Sequence, residues 1–208
     1  MNDEIKKRLK RTIILSLAAL AVGVGIGLVQ VKSQNAQVVN KGADTLAGVK
    51  IGGAFTLTDQ NGLMVTEKSY SDKYKLVYFG FTMCPEVCPT GLQKIAKALN
   101  ALGPTADNIQ PIFITVDPDR DTPDALRQYV QQFHPRLVGL TGTKADIESV
   151  EKSYKVYAAK SADEGGTEYT MDHSAFTYFM DPDGNLLALY HDSDTAESMA
   201  GDIKAKLP

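Results

Sequence analysis

The sequence predicts an α/β domain, a mixed sheet flanked by helices, with an added N-terminal hairpin and one transmembrane helix ahead of it. Three observations carry that expectation. Residues 12–31 run without a charge. From Lys75 to Tyr154, short β-branched apolar runs alternate with segments of helical spacing. A hairpin pattern and an amphipathic segment then close the chain. Its 208 residues suit one globular domain with appendages. A hydrophobic share of 43% and a charged share of 23% are ordinary for a folded domain. The net charge of -3 and pI near 5.6 exclude the basic footprint that nucleic-acid binding requires.

The elements follow in order. Residues 1–11 end in a basic cluster of Lys6, Lys7, Arg8, Lys10 and Arg11. The uncharged run Thr12–Val31 would cover about 30 Å as a helix, the thickness of a bilayer core. The run exceeds the apolar core of a signal peptide and lacks a clean small-residue cleavage site. It therefore reads as a retained anchor. The cations upstream outnumber Lys32 and Lys41 downstream, so the N-terminus is expected in the cytoplasm. Residues 32–48 are polar and weakly patterned, a tether. Residues 49–208 are then expected outside the cytoplasm, where disulfides persist.

Within that domain, Phe55, Leu57, Leu63 and Val65 alternate around Asn61-Gly62, a hairpin signal. "KLVYFGF" is a continuous apolar run, as in a strand buried on both faces. Leu92, Ile95, Leu99 and Leu102 share a helical face that Gly103-Pro104 terminates. "IQPIFITVD" reads as the next strand, completing a right-handed βαβ unit. Asp121 or Thr122 caps a helix with Pro123 near its start. "RLVGLTG" is a short strand, and Ile147, Val150 and Tyr154 mark another helix. Residues 160–170 read as a polar loop. A hairpin turning at residues 181–184 and a helix capped at Thr195 complete the chain. This order is that of a thioredoxin-like domain.

The chain has two cysteines, Cys84 and Cys88, between prolines in "MCPEVCP". Both fall where the first central strand becomes the first long helix, a place that favours thiolates. As a staple the pair is poor, since closing so short a loop contributes only about 2 kcal/mol. On a regular helix, positions i and i+4 hold Cβ atoms about 5–6 Å apart, whereas a disulfide wants about 3.8 Å. A metal tolerates the wider spacing, and thioredoxin-type exchange uses the tighter C-x-x-C. The spacing leans toward a metal without excluding exchange.

Two thiolates need a further ligand, and the chain has three histidines. His134 ends a helix before a proline, and His191 ends a hairpin strand; neither position suggests ligation. His173, in "YTMDHSAF", precedes the last hairpin, and in thioredoxin-like folds that loop packs against the cysteine turn. Cys2His suits copper or zinc alike. An iron–sulfur cluster wants four ligands that the sequence does not supply. Met83 and Met171 are expected to pack rather than ligate.

Four ordered motifs, "FGFTMCPEVCPTGL", "ITVDPDRDTP", "LVGLTG" and "YTMDHSAFTYFMDPDGN", behind an apolar anchor, resemble the Sco/SenC family over residues 49–208. The resemblance implies a thioredoxin-like copper protein that helps assemble the CuA centre of cytochrome c oxidase. It implies Cys84, Cys88 and His173 as ligands for Cu(I) or Cu(II), and the CuA-bearing subunit as recipient. Other periplasmic copper carriers or thiol reductants are the implied further partners. The short basic start fits a bacterial member, single-pass in the inner membrane with its domain in the periplasm. A thiol-disulfide oxidoreductase acting on the subunit's cysteines, with Cys84 attacking, is the rival expectation, and a redox or copper sensor the third. Asp117, Asp119 or Arg120 is expected to border the copper face and guide a partner. Asp172 is expected to hold the His173 ring in one orientation.

Overall fold

A computed structural model describes residues 50–162 and 169–208. The expected basic segment, anchor and linker, residues 1–48, lie outside the described residues. No helix of the described residues is long and apolar enough to cross a membrane.

The chain enters through a hairpin of β1 (Thr56–Asp59) and β2 (Met64–Thr66). Gly62 takes φ 78 at its turn, and Asp59 Oδ1 accepts from the N–H groups of Asn61 and Leu63 at 2.8 Å each. Leu57 is buried, but Leu63 is 62% exposed, so the expected alternation holds on the first strand only. β3 (Tyr74–Gly80) leads to α1 (Val87–Leu102), β4 (Ile109–Thr115), α2 (Pro123–Val130), β5 (Val138–Thr141) and α3 (Lys144–Tyr154). Then come β6 (Ala158–Ala162), β7 (Tyr169–His173), β8 (Thr177–Met180), β9 (Leu186–Tyr190) and α4 (Ala196–Lys206).

Seven strands form one sheet in the order β2-β1-β5-β4-β3-β8-β9. β3, β4 and β5 run parallel; β8 joins β3 and β1 joins β5 antiparallel. Three parallel strands flanked by the β8–β9 hairpin make the thioredoxin-like core that the element order predicts. The β1–β2 hairpin extends the far side. Pro111 lies inside β4 one residue before the β5 ladder begins at Ile112, where its missing N–H loses nothing to β5. Leu76, Phe79, Phe113, Ile114 and Leu140 are fully buried at the sheet's centre, and Leu92, Ile95 and Leu99 are buried on the inner face of α1. Helix α1 packs against α4.

Two expectations are corrected. Residues 160–170 are not simply a polar loop: β6 and β7 pair antiparallel from Ala158↔His173 to Ala162↔Tyr169 as a separate two-stranded sheet. A surface ribbon satisfies its backbone by pairing and needs apolar side chains on one face only, so no dense apolar run announced it. Of the two candidate caps for α2, Thr122 does the capping, accepting from Ala125 N–H. Asp121 is fully buried elsewhere.

Candidate metal centre

β3, a central strand, ends at Gly80, and the next residues turn. The Cys84 N–H donates to the Phe81 carbonyl at 3.2 Å, so Cys84 precedes the helix while Cys88 sits in its first turn. Pro85 lies in the turn. Pro89 is the third helical residue, where a missing N–H breaks no intrahelical bond. The two sulfurs are therefore not spaced as on a regular helix. The turn folds Cys84 back until its Sγ accepts the Cys88 N–H at 3.3 Å.

His173 ends β7. Its Nε2 lies 3.3 Å from Cys88 Sγ and its Nδ1 3.1 Å from the Ser174 carbonyl oxygen. The Phe81 ring meets the imidazole edge to face at 5.9 Å. The ligand atoms of Cys84, Cys88 and His173 lie within 4.8 Å of one another, the one such cluster found among the described residues. Atoms each about 2.3 Å from a shared ion would be separated by about 4 Å in a trigonal site, so slight closure suffices. Both cysteines are free thiols. Cys88 is fully buried and Cys84 9% exposed, which places the open side of the cluster toward Cys84 and His173.

The two thiols titrate as a pair. The hydrogen bond with Cys88 lowers Cys84 to about 4, with help from His173 and the backbone N–H groups of Cys88 and Glu86, and against burial. The same hydrogen bond, burial and the neighbouring Cys84 charge push Cys88 up. The pair thus carries one negative charge near neutrality, seated on Cys84, and Cys88 holds a proton for a metal to displace. Below Cys88 the packing is tight: a Cβ on Gly80 would lie 2.7 Å from its Sγ and 3.0 Å from the Phe113 ring.

The remaining candidates separate. His134 Nδ1 accepts from the Arg136 N–H, and His191 is exposed beside Ser193; neither joins the cluster. Met83 is exposed, and Met171 lines a cavity against α3. Asp172 is exposed, and among the described residues it makes no hydrogen bond to His173. Successive strand residues face opposite ways, so the ring contact expected of Asp172 falls to the Ser174 carbonyl. Asp117 is 1% exposed and unavailable to a partner. It accepts from Arg120 Nε and from the Tyr169 hydroxyl at 2.8 Å. Asp119 is exposed but paired with Lys160 at 2.7 Å. These residues tie the aspartate loop to the β6–β7 ribbon. Asp121, read from sequence as a capping candidate, accepts from Thr82 N–H, Thr82 Oγ1 and Thr115 Oγ1 at 3.0, 2.6 and 2.5 Å.

Fold and site together define a thioredoxin-like protein with a two-thiol, one-imidazole metal cluster. The chain belongs to the SCO1/SenC family, whose model matches residues 43–207. It is 44% identical over 153 residues to an SCO2-like protein of Rickettsia conorii, covering 73% of this chain and 75% of that one. The structure of Bradyrhizobium japonicum ScoI with copper bound is 48% identical, with a TM-score of 0.69 over 76% of this chain and 99% of that one. The structure of Arabidopsis thaliana ScoI with copper bound is 39% identical, with a TM-score of 0.70 over 74% and 99%.

Proposed function

We propose that the protein is a membrane-tethered copper carrier that holds Cu(I) or Cu(II) on Cys84, Cys88 and His173. It would deliver that copper for assembly of the CuA site of cytochrome c oxidase. The convergence of two thiols and one imidazole carries this reading. Thiolates and imidazole are the ligands that copper prefers, and a relative 48% identical holds copper in its solved structure. Copper binding displaces the Cys88 proton, and the partner's thiolate approaches from the side of Cys84 and His173, because Cys88 has no exposed surface. Residues 12–31 would anchor the chain in a bacterial inner membrane with the domain in the periplasm. The five cations that precede the run support that orientation. The CuA-bearing subunit as recipient, and periplasmic copper carriers or thiol reductants as donors, rest on the family resemblance.

Titrating the reduced full chain with copper, followed by absorption and EPR spectra, tests the reading. One copper per chain and thiolate-to-Cu(II) charge-transfer bands are expected. Bands unchanged in His173→Ala, or equal uptake after both thiols are oxidised, would refute the three-ligand assignment.

A second reading, thiol-disulfide exchange, is favoured by the depressed pKa of Cys84. The Cys84 thiolate attacks a partner's disulfide and expels one partner thiolate. Cys88, deprotonated, then attacks Cys84 Sγ, expels the second and leaves the Cys84–Cys88 disulfide. Oxidation consumes both sulfur ligands, so the two readings exclude each other at any one moment. A depressed pKa leaves Cys84 ionised from about pH 4 upward. Iodoacetamide at pH 6 should therefore label Cys84 in the reduced, metal-free chain and leave Cys88 largely intact. Equal labelling, read by peptide mass spectrometry, would reject Cys84 as the attacker.

A further inference from the structure

We infer that Arg120 and Tyr169 form a latch that positions the ribbon carrying His173, and through it the third copper ligand; this inference rests on the copper-carrier reading above. Among the described residues, the ribbon shares no ladder with the main sheet. Its inward-facing residues are Tyr169, Met171 and His173, since β7 alternates with period two. His173 meets the cysteines, but Met171 spans a cavity of about 350 Å³ that separates the ribbon from Ile147, Glu148 and Glu151 of α3. Its buried contacts with the rest of the domain thus lie at its two ends, with the exposed Lys160–Asp119 pair between them.

At the His173 end, Ser174 N–H donates to the Tyr157 carbonyl at 3.0 Å and Tyr157 N–H to Ser174 Oγ at 3.1 Å. At the other end stands Tyr169. The Arg120 guanidinium lies 3.9 Å from its ring centroid, and Arg120 Nη1 donates to its carbonyl at 2.9 Å. The Tyr169 hydroxyl closes the arrangement on Asp117, and Lys160 covers the ring at 4.2 Å. The same guanidinium lies 5.8 Å from the Phe81 ring, whose other neighbour is the His173 imidazole. Arg120 therefore touches both the far end of the ribbon and the ring that backs the ligand. Four strand steps of about 3.4 Å separate Tyr169 from His173, so a small rotation at the latch moves Nε2 off the sulfurs. An unlatched ribbon leaves a two-sulfur site, which suits Cu(I), whereas Cu(II) favours nitrogen donors in addition. Arg120 and Tyr169 are in this sense positioning residues that favour Cu(II) retention.

The test compares Arg120→Ala, Arg120→Lys, Tyr169→Leu and Tyr169→Phe in the full chain; Tyr169→Leu spares the buried Asp117–Arg120 pair. In metal-free protein, Arg120→Ala and Tyr169→Leu should speed amide hydrogen exchange in β6 and β7 about tenfold, leaving β3 and β4 unchanged. In the same variants Cu(II) affinity should fall about 10–100-fold and lose its native EPR signature, while Cu(I) affinity changes much less. Tyr169→Phe, which keeps the ring, should retain most of both properties, and Arg120→Lys, which loses the planar fork, should not. Unchanged ribbon exchange overturns the latch. Faster ribbon exchange with Cu(II) affinity unchanged overturns its link to His173. If the parent chain binds no copper, the carrier reading fails, while the exchange data still decide whether the latch exists.

Discussion

Cys88→Ser is expected to lower copper affinity about a hundred- to a thousandfold while leaving the metal-free fold near its parent stability. Four-ligand structural zinc sites release about 10–16 kcal/mol, or about 2.5–4 kcal/mol per ligand, and each 1.4 kcal/mol is tenfold. The loss should approach the upper end, because Cys88 is fully buried and solvent does not reach its position. Cys84→Ser should cost less, since Cys84 lies at the open side where solvent can take the vacant position. It also removes the hydrogen bond and the neighbouring charge that push Cys88 up, so the Cys88 proton that copper must displace leaves at lower pH than in the parent. Affinity in Cys84→Ser should therefore rise with pH over the range in which Cys88 ionises. Competition with a chromophoric chelator at several pH values measures all of this, and equal losses in the two variants would refute the buried-and-open division of the site.

Much of this arrangement was legible in the sequence. The glycine at 62, the apolar runs at 75–81 and 109–116, and the spacing of Leu92, Ile95 and Leu99 each state a local geometry, and the structure has those elements in that order. Cys84 and Cys88 advertise themselves by residue type, and His173 by its place before the last hairpin. The charged residues of "DPDRDTP" were harder, because sequence does not say which way a charge faces. Asp117 and Asp121 look solvated there, yet both are buried and hydrogen-bonded. Tyr169 carried no signal, since it follows a polar run and its partners lie 49 and 52 residues away. The β6–β7 ribbon is hidden for the same reason: its strands mix small, polar and apolar residues without a dense apolar run, and its pairing depends on residues that only the fold brings together.

Asp121→Ala is expected to destabilise the domain by about 3 kcal/mol and to loosen the cysteine turn. The buried Asp121 carboxylate gathers Thr115 at the end of β4 and both donors of Thr82, two residues before Cys84. Alanine would leave the Thr82 N–H without a partner and reduce the restraints on the turn, at about 1–3 kcal/mol for each buried group stranded. The loss does not come from the charge. Burial raises the Asp121 pKa despite the hydrogen bonds from Thr115 and Thr82, with the nearby Asp117 adding to the rise. A folded-state pKa above the unfolded value means that the side chain's contribution is fullest below the unfolded pKa, about 3.9, and declines as pH rises through the folded one. Asp121→Asn keeps an acceptor for the Thr82 N–H and can donate its amide to a threonine oxygen, so it should cost about 1 kcal/mol. Its deficit relative to the parent should shrink between acidic and neutral pH, because the parent alone loses stability across that range. Urea unfolding of the metal-free protein at pH 4 and pH 7 reads both effects. A deficit in Asp121→Asn that grows toward neutral pH would show that the ionised carboxylate, rather than the donors it satisfies, holds the cysteine turn in place.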